Sequence, residues 1–394
     1  MPHETALIAT LAVGLAFALV GGFVAARLRL PPVVGYLLAG IAVGPFTPGF
    51  VADAKLAPQL AEIGVILLMF GVGMHFSLRD LLAVRSVAVP GALVQIAVAT
   101  GLGAGMAALW GWTLRAGLVF GLALSVASTV VLLRALEARG RLYSDEGRIA
   151  VGWLIVEDLV MVLALVLLPA LAGPLGETDG LWTALALTLG KVALFAGLML
   201  VVGTRVFPWL LRRVGDTGSR ELFTLAVVTL ALGVAFASAR LFEVSFALGA
   251  FFAGVVIHQS ELSHRAATGL QPLQDAFGVL FFVAVGMLFD PAILLEQPLQ
   301  VLGVVAIIVV GKSLAALAIV LALRRPLRTA LTVSAALAQI GEFSFILGAL
   351  GVRLALLPPA GESLIVAGAL LSITLNALLF LGAERWGPPQ GAIP

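Results

Sequence analysis

The segment from Trp153 to Pro169 reads WLIVEDLVMVLALVLLP, an apolar run interrupted only by the adjacent acids Glu157 and Asp158. A membrane hydrocarbon core about 30 Å thick is crossed by a helix of roughly 20 mainly apolar residues, so this segment and its flanks predict a membrane span. A charged side chain near the centre of a bilayer costs at least about 2.5 kcal/mol on insertion scales. We therefore expect the two acids to be functional, or to be paired with other groups inside the protein.

The whole chain shares the apolar character of this segment. Of its 394 residues, 61% are apolar and 11% are charged, whereas about a quarter of the residues of a soluble domain are charged. Only short loops separate the apolar stretches, which leaves no segment long enough for a soluble catalytic domain. The sequence predicts an all-α polytopic membrane protein that is not an enzyme. With no cysteine and no metal-ligand spacing among its histidines, it is expected to hold no cofactor.

Charged and Pro/Gly-rich breaks divide the chain into thirteen predicted spans. They lie at about 5–26, 33–51, 58–77, 87–110, 116–136, 149–171, 181–204, 221–239, 245–258, 272–289, 299–323, 329–350 and 362–383. With the N-terminus outside, only Lys55, Arg115, Arg240 and Arg353 of the basic loop residues fall on the outer side. Cytoplasmic loops are enriched in Lys and Arg, so this asymmetry predicts a multi-pass protein of the cell (inner) membrane with a cytoplasmic C-terminus.

Two pairs of similar segments indicate an internal repeat. GYLLAGIAVG (35–44) aligns with LGAFFAGVVI (248–257) through their paired glycines, and IGVILLMFGVGMHF (63–76) resembles FGVLFFVAVGMLF (277–289) at nearly the same offset. The offset equals seven spans, so the two copies would run in opposite directions through the membrane, as in many secondary transporters. We predict one transmembrane domain with a first repeat at 1–171, a linker helix at 181–204 and a second repeat at 221–383. Coincidence among glycine-rich segments is the alternative.

Two features place ionisable groups within these spans. Glu157 and Asp158 point about 100° apart on a helix, so one can meet a counter-ion while the other faces a cavity. Lys312, in VVAIIVVGKSLAALAIV, needs either to lose its proton or to find a carboxylate, and either acid could supply it. A structural ion pair and a proton-linked pair remain open, as does the interpretation that the acids only hold helices together. Lys191 is left unassigned.

Polar and small residues interrupt two spans at corresponding positions of the repeats. LAQIGEFSF (337–345) lies in span twelve and ALSVASTVV (123–131) in span five. Such interruptions are typical of broken helices, whose free carbonyls and dipole ends can bind a cation. Close packing of small residues is the alternative. The predicted discontinuous-helix residues are Ser125, Ser128, Thr129, Gln339, Gly341, Glu342 and Ser344.

A carboxylate that faces a water-filled cavity can bind a proton or a partly dehydrated alkali cation, but not both at once. Competition for Asp158, with Glu157 beside it, would therefore couple the two ions, and hydroxyl and carbonyl oxygens would complete the site. This predicts a cation/proton antiporter. A cation channel would favour repeated filter segments, and a non-transporting membrane sensor would not need ionisable groups at mid-membrane.

Seven motifs in order carry a resemblance to a known family. They are GYLLAGIAVGP, AEIGVILLMFGVGMHFSLRDL, ALSVASTVVLLRAL, IVEDLVMV, LGAFFAGVVI, FGVLFFVAVGMLFDP and AQIGEFSFILG. The chain resembles the membrane domain of monovalent cation:proton antiporter family 2, above all the Kef-type potassium/proton antiporters and their YbaL-like relatives. The resemblance implies a thirteen-helix fold with crossed discontinuous helices, a homodimer in membrane lipid, and elevator-type transport of K⁺ or Na⁺ against H⁺. It makes Asp158 the ion- and proton-binding residue and Lys312 the membrane lysine.

Two departures from the Kef-type pattern bear on function. Kef-type proteins commonly have glutamine before the aspartate, whereas Glu157 here is closer to the two carboxylates of electrogenic sodium/proton antiporters. The choice between K⁺ and Na⁺ and the stoichiometry therefore stay open. Kef-type chains also usually continue into a cytoplasmic nucleotide-binding regulatory domain. The printed sequence stops at GPPQGAIP, so we expect such a domain, if it acts, to lie outside these residues.

Overall fold

The computed structural model of the chain describes residues 3–28, 30–48, 56–75, 78–171, 178–242 and 244–386. Throughout these ranges the regular secondary structure is helical, and the predicted all-α class is confirmed. The helices are α1 (His3–Arg27), α2 (Pro32–Val43), α3 (Leu56–His75), α4 (Leu78–Leu109), α5 (Leu114–Ser125), α6 (Thr129–Glu137), α7 (Asp145–Leu171), α8 (Thr178–Leu198), α9 (Thr204–Gly215), α10 (Arg220–Phe242), α11 (Phe246–His258), α12 (Ser263–Met287), α13 (Ile293–Glu296), α14 (Pro298–Ala306), α15 (Lys312–Ala322), α16 (Leu327–Leu337), α17 (Glu342–Arg353) and α18 (Pro359–Trp386).

Two single π-helical turns interrupt long apolar helices. Met199–Gly203 joins α8 to α9, and Ile307–Gly311 joins α14 to α15. A π-helical turn inserts an extra residue and rotates the residues that follow it, and such turns are frequent at functional sites. The second turn ends immediately before Lys312, so it sets the direction in which that lysine points.

Each predicted span overlaps an apolar helical segment, with 49–51 of the second span and 76–77 of the third lying outside the described residues, but the number of crossings is not confirmed. Among the described residues, nine helices are long and apolar enough to cross a membrane, or ten if the pair α16 and α17, bent by 43°, counts as one span. The segments Pro32–Val43, Gln59–Met74 and Phe246–His258 are apolar but shorter. Thirteen crossings therefore stay a prediction.

The chain forms two compact units, and each draws on both halves of the sequence. Unit 1 consists of Met1–Gly21, Tyr36–Ser77 and Val162–Leu288, and unit 2 of Gly22–Gly35, Leu78–Met161 and Phe289–Pro394. The division falls inside α1, α2 and α7 and does not follow the predicted repeat boundaries. Those boundaries rest on sequence similarity and stay a prediction.

In unit 1 glycines allow helix backbones to approach closely. A Cβ atom on Gly254 of α11 would overlap the carbonyl oxygen of Phe70 on α3 and lie 2.8 Å from the nitrogen of Met74. Gly40 of α2 meets Val283 and Gly286 of α12 in the same way. Gly40 and Gly254 are aligned with each other in the predicted repeat. In both copies the aligned glycine therefore permits close contact between two helix backbones.

Unit 2 has an apolar core built around a tryptophan. Trp153 of α7 is fully buried and packs in a cluster with Leu132 of α6, Val333 of α16 and Phe380 of α18. Gly91 of α4 leaves room for the indole ring, because a Cβ atom there would overlap it. This packing fixes α7 one turn before its two acids.

We predict that Gly254→Ala lowers the unfolding temperature of the detergent-solubilised protein, followed by intrinsic fluorescence. The added methyl group must push α11 from α3, and such overpacking costs about 1–3 kcal/mol. The control is Gly233→Ala on α10, where a Cβ atom meets nothing within 4 Å among the described residues. That change should leave stability equal or slightly higher, because alanine is the better helix former. Equal unfolding temperatures for the two variants would contradict the packing assigned to Gly254.

Candidate cation site

Unit 2 contains two broken helices, at the places where the sequence predicts them. Helix α5 ends at Ser125 and α6 begins at Thr129, and α16 ends at Leu337 and α17 begins at Glu342. The backbone is extended at Val126 (φ −92°, ψ 134°), the residue that follows α5. The breaks leave helix ends, with their unpaired N–H and C=O groups, in the interior of an apolar bundle.

The two breaks touch each other at a glycine. A Cβ atom on Gly341 would overlap the side chain of Ser128 and lie 2.9 Å from its Oγ atom. Glycine is therefore required at this position by the close approach of the two chains. Gly341 is also extended, at φ −145° and ψ −150°.

Gln339 joins the breaks through a reciprocal pair of hydrogen bonds. Its Oε1 atom accepts the N–H of Ser128 at 2.9 Å, and its Nε2 atom donates to the carbonyl of Ser128 at 3.1 Å. The side chain is fully buried. The carbonyl of Ser128 also accepts the N–H of Leu132 at 3.1 Å, so the N–H of Ser128 is the group that depends on Gln339. An unpaired buried backbone group costs about 1–3 kcal/mol, which is the cost that this amide side chain removes.

Side-chain donors on the preceding helices bind the carbonyl ends of both broken helices. Gln95 of α4 donates through Nε2 to the carbonyl of Ser125 at 3.0 Å. Lys312 of α15 donates through Nζ to the carbonyl of Gln339 at 3.0 Å. A helix C-terminus carries partial negative charge, which favours a donor and most of all a cation. Asn376 of α18 also donates to the carbonyl of Ala335, at 2.7 Å.

Glu157 accepts a hydrogen bond from the first break, and its charge interacts with that of Lys312. Its Oε2 atom accepts the N–H of Ala127 at 2.8 Å, and the side chain is fully buried. Glu157 is the carboxylate whose charge acts on Lys312. Among the described residues no hydrogen bond joins the two, and the ammonium group donates to the carbonyl of Gln339. The sequence allows either Glu157 or Asp158 as the partner of Lys312, and in the structure it is Glu157 whose charge acts on the lysine.

Asp158 is a buried carboxylate with few hydrogen-bond partners. Its exposed fraction is 5%, and its Oδ2 atom accepts only a long hydrogen bond, 3.4 Å from Thr129 Oγ1. Its Oδ1 atom has no hydrogen-bond partner in the described part of the chain. Glu157 also has one oxygen without a hydrogen-bond partner, Oε1, but the charge of Lys312 acts on Glu157, whereas no cationic side chain among the described residues acts on Asp158. A buried oxygen of this kind is costly unless a ligand meets it.

Of the other predicted residues, Ser128 and Glu342 bond to each other at the junction of the breaks, whereas the hydroxyls of Ser125 and Ser344 do not bond across it. Ser128, through its hydroxyl, donates to Glu342 Oε2 at 3.1 Å, so both lie at the junction of the breaks. Ser125 donates its hydroxyl to Leu122 within its own helix, and it contributes its carbonyl to the site instead. Ser344 is fully buried, and its hydroxyl has no hydrogen-bond partner among the described residues.

The prediction from sequence missed two residues that support the site, Gln95 and Asn376. Each is an amide side chain inside a long apolar helix, in LVQIAV and ITLNALL. Polar residues in a span usually face the bundle interior. The signal that marks both in the sequence is an amide side chain within an apolar span.

The arrangement offers oxygen atoms to a small cation. The free Asp158 Oδ1, the hydroxyl of Thr129 and the oxygens at two helix breaks are hard ligands that suit alkali ions. Lys312 supplies one positive charge, directed at Glu157 and the carbonyl end of α16. The Asp158 carboxylate can therefore hold a cation or a proton.

Comparison with known proteins identifies the family. The sequence profile described as "Sodium/hydrogen exchanger, transmembrane" matches residues 15–381. The chain belongs to this family. Its members are transporters, so the interpretation as a cation/proton antiporter rather than an enzyme is supported, as is a multi-pass membrane protein.

Individual relatives agree with that assignment. The chain is 61% identical over 390 residues to the Escherichia coli (strain K12) protein named "Putative cation/proton antiporter YbaL", covering 98% of this chain and 70% of that protein. It is 34% identical to K(+) efflux antiporter 4 of Arabidopsis thaliana, covering 95% and 63%. The solved sodium proton antiporter MjNhaP1 of Methanocaldococcus jannaschii has the same fold, with a TM-score of 0.74, 16% identity and coverage of 98% and 99%. The predicted resemblance to Kef-type and YbaL-like antiporters is confirmed.

We predict that Gln339→Ala destabilises the folded protein by about 1–3 kcal/mol, because it leaves the N–H of Ser128 unpaired, whereas the C=O of Ser128 keeps the N–H of Leu132. The unfolding temperature in detergent measures the loss. The matched control is Gln271→Ala, at an exposed position on α12, which should change stability by less than about 0.5 kcal/mol. If the two variants unfolded together, Gln339 would not be the link between the breaks.

Proposed function

We propose that this protein exchanges a monovalent cation, K⁺, for H⁺ across the membrane, with Asp158 as the group that binds either ion. The observation that carries the proposal is the Oδ1 atom of Asp158, which is buried and has no hydrogen-bond partner among the described residues. Asp158 lies on α7, and the residue before it, Glu157, accepts a hydrogen bond from Ala127 in the first break. Broken helices that meet at buried polar groups are where secondary transporters bind ions.

Competition at one carboxylate explains obligatory exchange. A proton on Asp158 removes the negative charge that draws a cation, and a bound cation displaces the proton. We assume that the site switches between its inward-open and outward-open conformations only when an ion is bound. Each cation moved in one direction is then matched by protons moved in the other. All the residues of the site lie in unit 2, as elevator-type transport requires of the body that carries the ion.

The names of the proteins similar in sequence favour potassium over sodium as the transported cation. The Arabidopsis protein at 34% identity is named a K(+) efflux antiporter, and the Kef-type motifs agree. Sodium/proton exchange is the second candidate, because Glu157 precedes Asp158 and the family is described by sodium/hydrogen exchange. The Kef-type resemblance supports a homodimer with a cytoplasmic nucleotide-binding domain as a further partner. The asymmetry of Lys and Arg among the loops supports a cell (inner) membrane protein with its N-terminus outside.

We predict that Asp158→Asn abolishes cation-driven proton flux. Purified protein in liposomes with a pH-sensitive dye receives KCl, NaCl or choline chloride, and wild type should respond to KCl but not to choline. Asn keeps the size of the side chain and cannot bind and release a proton. The control is Asp145→Asn at the exposed start of the same helix, where Asp145 pairs with Arg148, and it should retain full flux. Wild-type flux in Asp158→Asn would remove this residue from the mechanism.

We predict that Glu157→Gln keeps KCl-driven exchange and lowers thermal stability. A glutamine oxygen can still accept the N–H of Ala127, but Lys312 loses the opposite charge that acts on it. Transport should be electroneutral in both proteins, so an imposed membrane potential should change neither rate. A rate that responds to the potential in wild type but not in Glu157→Gln would show instead that the pair breaks during transport and that exchange is electrogenic.

A further inference from the structure

A third carboxylate, Glu342, is buried at the junction of the two broken helices. Its exposed fraction is 3%, and it is the first residue of α17. Its Oε2 atom accepts the hydroxyl of Ser128 at 3.1 Å. The backbone N–H groups of Thr129 and of Glu342 itself also face this carboxylate. It therefore lies at the N-terminal ends of both α6 and α17, where negative charge is favoured.

Glu342 and Asp158 are linked through consecutive residues. Ser128 donates its hydroxyl to Glu342, and Thr129 donates its hydroxyl to Asp158, at 3.1 and 3.4 Å. The charge of Glu342 is the first among the charges that act on Asp158. The two carboxylates thus share one small polar region at the start of α6.

This pair lacks a positive partner within the described part of the protein. The charged groups that face Asp158 are Glu157 on its own helix and Glu342 on α17. Lys312 on α15 is directed at Glu157 and at the carbonyl of Gln339. Thr129 of α6, which bonds to Asp158, is neutral, as are Gln95 of α4 and Asn376 of α18, which bond to the broken helices. Two facing carboxylates in a site of low dielectric are strongly disfavoured unless one positive charge is shared between them.

We propose that Glu342 is a second ion-coupled carboxylate, and that the Asp158–Glu342 pair holds one positive charge in every transporting state, supplied in turn by a proton and by the cation. The proposal rests on the proposed function and adds a residue to its site. Glu342 would strengthen the binding of both competing ions at Asp158. The alternative is that Glu342 is only a cap for α6 and α17, with no effect on either ion.

The test is KCl-driven proton flux in proteoliposomes for Glu342→Gln over a range of pH. Removing one negative charge should raise the apparent KM for K⁺ at alkaline pH by at least about tenfold, the effect expected for a charge about 10 Å away or nearer at an effective dielectric constant of about 20. The pH at which protons halve the flux should move to a more acidic value by about one unit, because the proton also loses attraction. A mere helix cap would move neither quantity. Glu342→Asp, which keeps the charge, should restore most of both.

The matched control is Glu362→Gln, which removes a carboxylate from the first turn of α18. It should leave the KM and the pH profile as in wild type. Should Glu342→Gln give too little folded protein, Ser128→Ala takes its place, because it removes the hydroxyl that donates to Glu342 and keeps both carboxylates. The same hydroxyl accepts the N–H of Val131 at 3.3 Å, so this variant also loses a hydrogen bond at the start of α6. Losing the hydrogen bond to Glu342 makes the pair hold its proton more tightly, so proton inhibition should shift to a more alkaline pH.

A KM and pH profile equal to wild type in Glu342→Gln would overturn the inference and leave Glu342 as a cap. In Ser128→Ala, an unchanged pH profile would do the same. The failure of the proposed function is a separate outcome, since it is read from Asp158→Asn alone. An inactive Asp158→Asn together with a wild-type-like Glu342→Gln would reject only the role of Glu342.

Discussion

The pairing of Gln339 with the backbone of Ser128 is the interaction on which the site depends. Inside a membrane no water is available to the free N–H and C=O groups of a broken helix, so the protein itself must satisfy them. One buried amide pairs with the N–H of Ser128 and adds a second donor to its C=O, and Gly341 allows the two chains to come close enough. Without this contact, the helix ends that bind and neutralise charge would not face one another.

Charge in the site is arranged in two sets. Lys312 bonds to the carbonyl end of α16 and acts on Glu157, which in turn accepts an N–H of the first break. This set is balanced within the protein. Asp158 and Glu342 have hydroxyl donors but no cationic side chain among the described residues. We propose that the charge missing from the second set is supplied by the transported ions.

The sequence alone predicts the helical class, the positions of the apolar segments and the two breaks, because each leaves a local signal. An apolar run predicts a helix, and polar residues around Gly341 indicate an interruption. The partner of Lys312 has no such signal, since the carbonyl of Gln339 is a backbone atom placed by the packing of three helices. The amide roles of Gln95 and Asn376 depend on the same cross-helix geometry. Helices too short to span by length leave the number of crossings open.

The central claim is that cation and proton compete for Asp158, and proton release on cation binding tests it most directly. KCl is added to the purified protein in a weakly buffered detergent solution near neutral pH, with choline chloride as the blank and a pH indicator as the readout. The account predicts that about one proton leaves per K⁺ bound, within the pH range where the site is partly protonated. Potassium binding without any release of protons at any pH between about 6 and 8.5 would contradict direct competition.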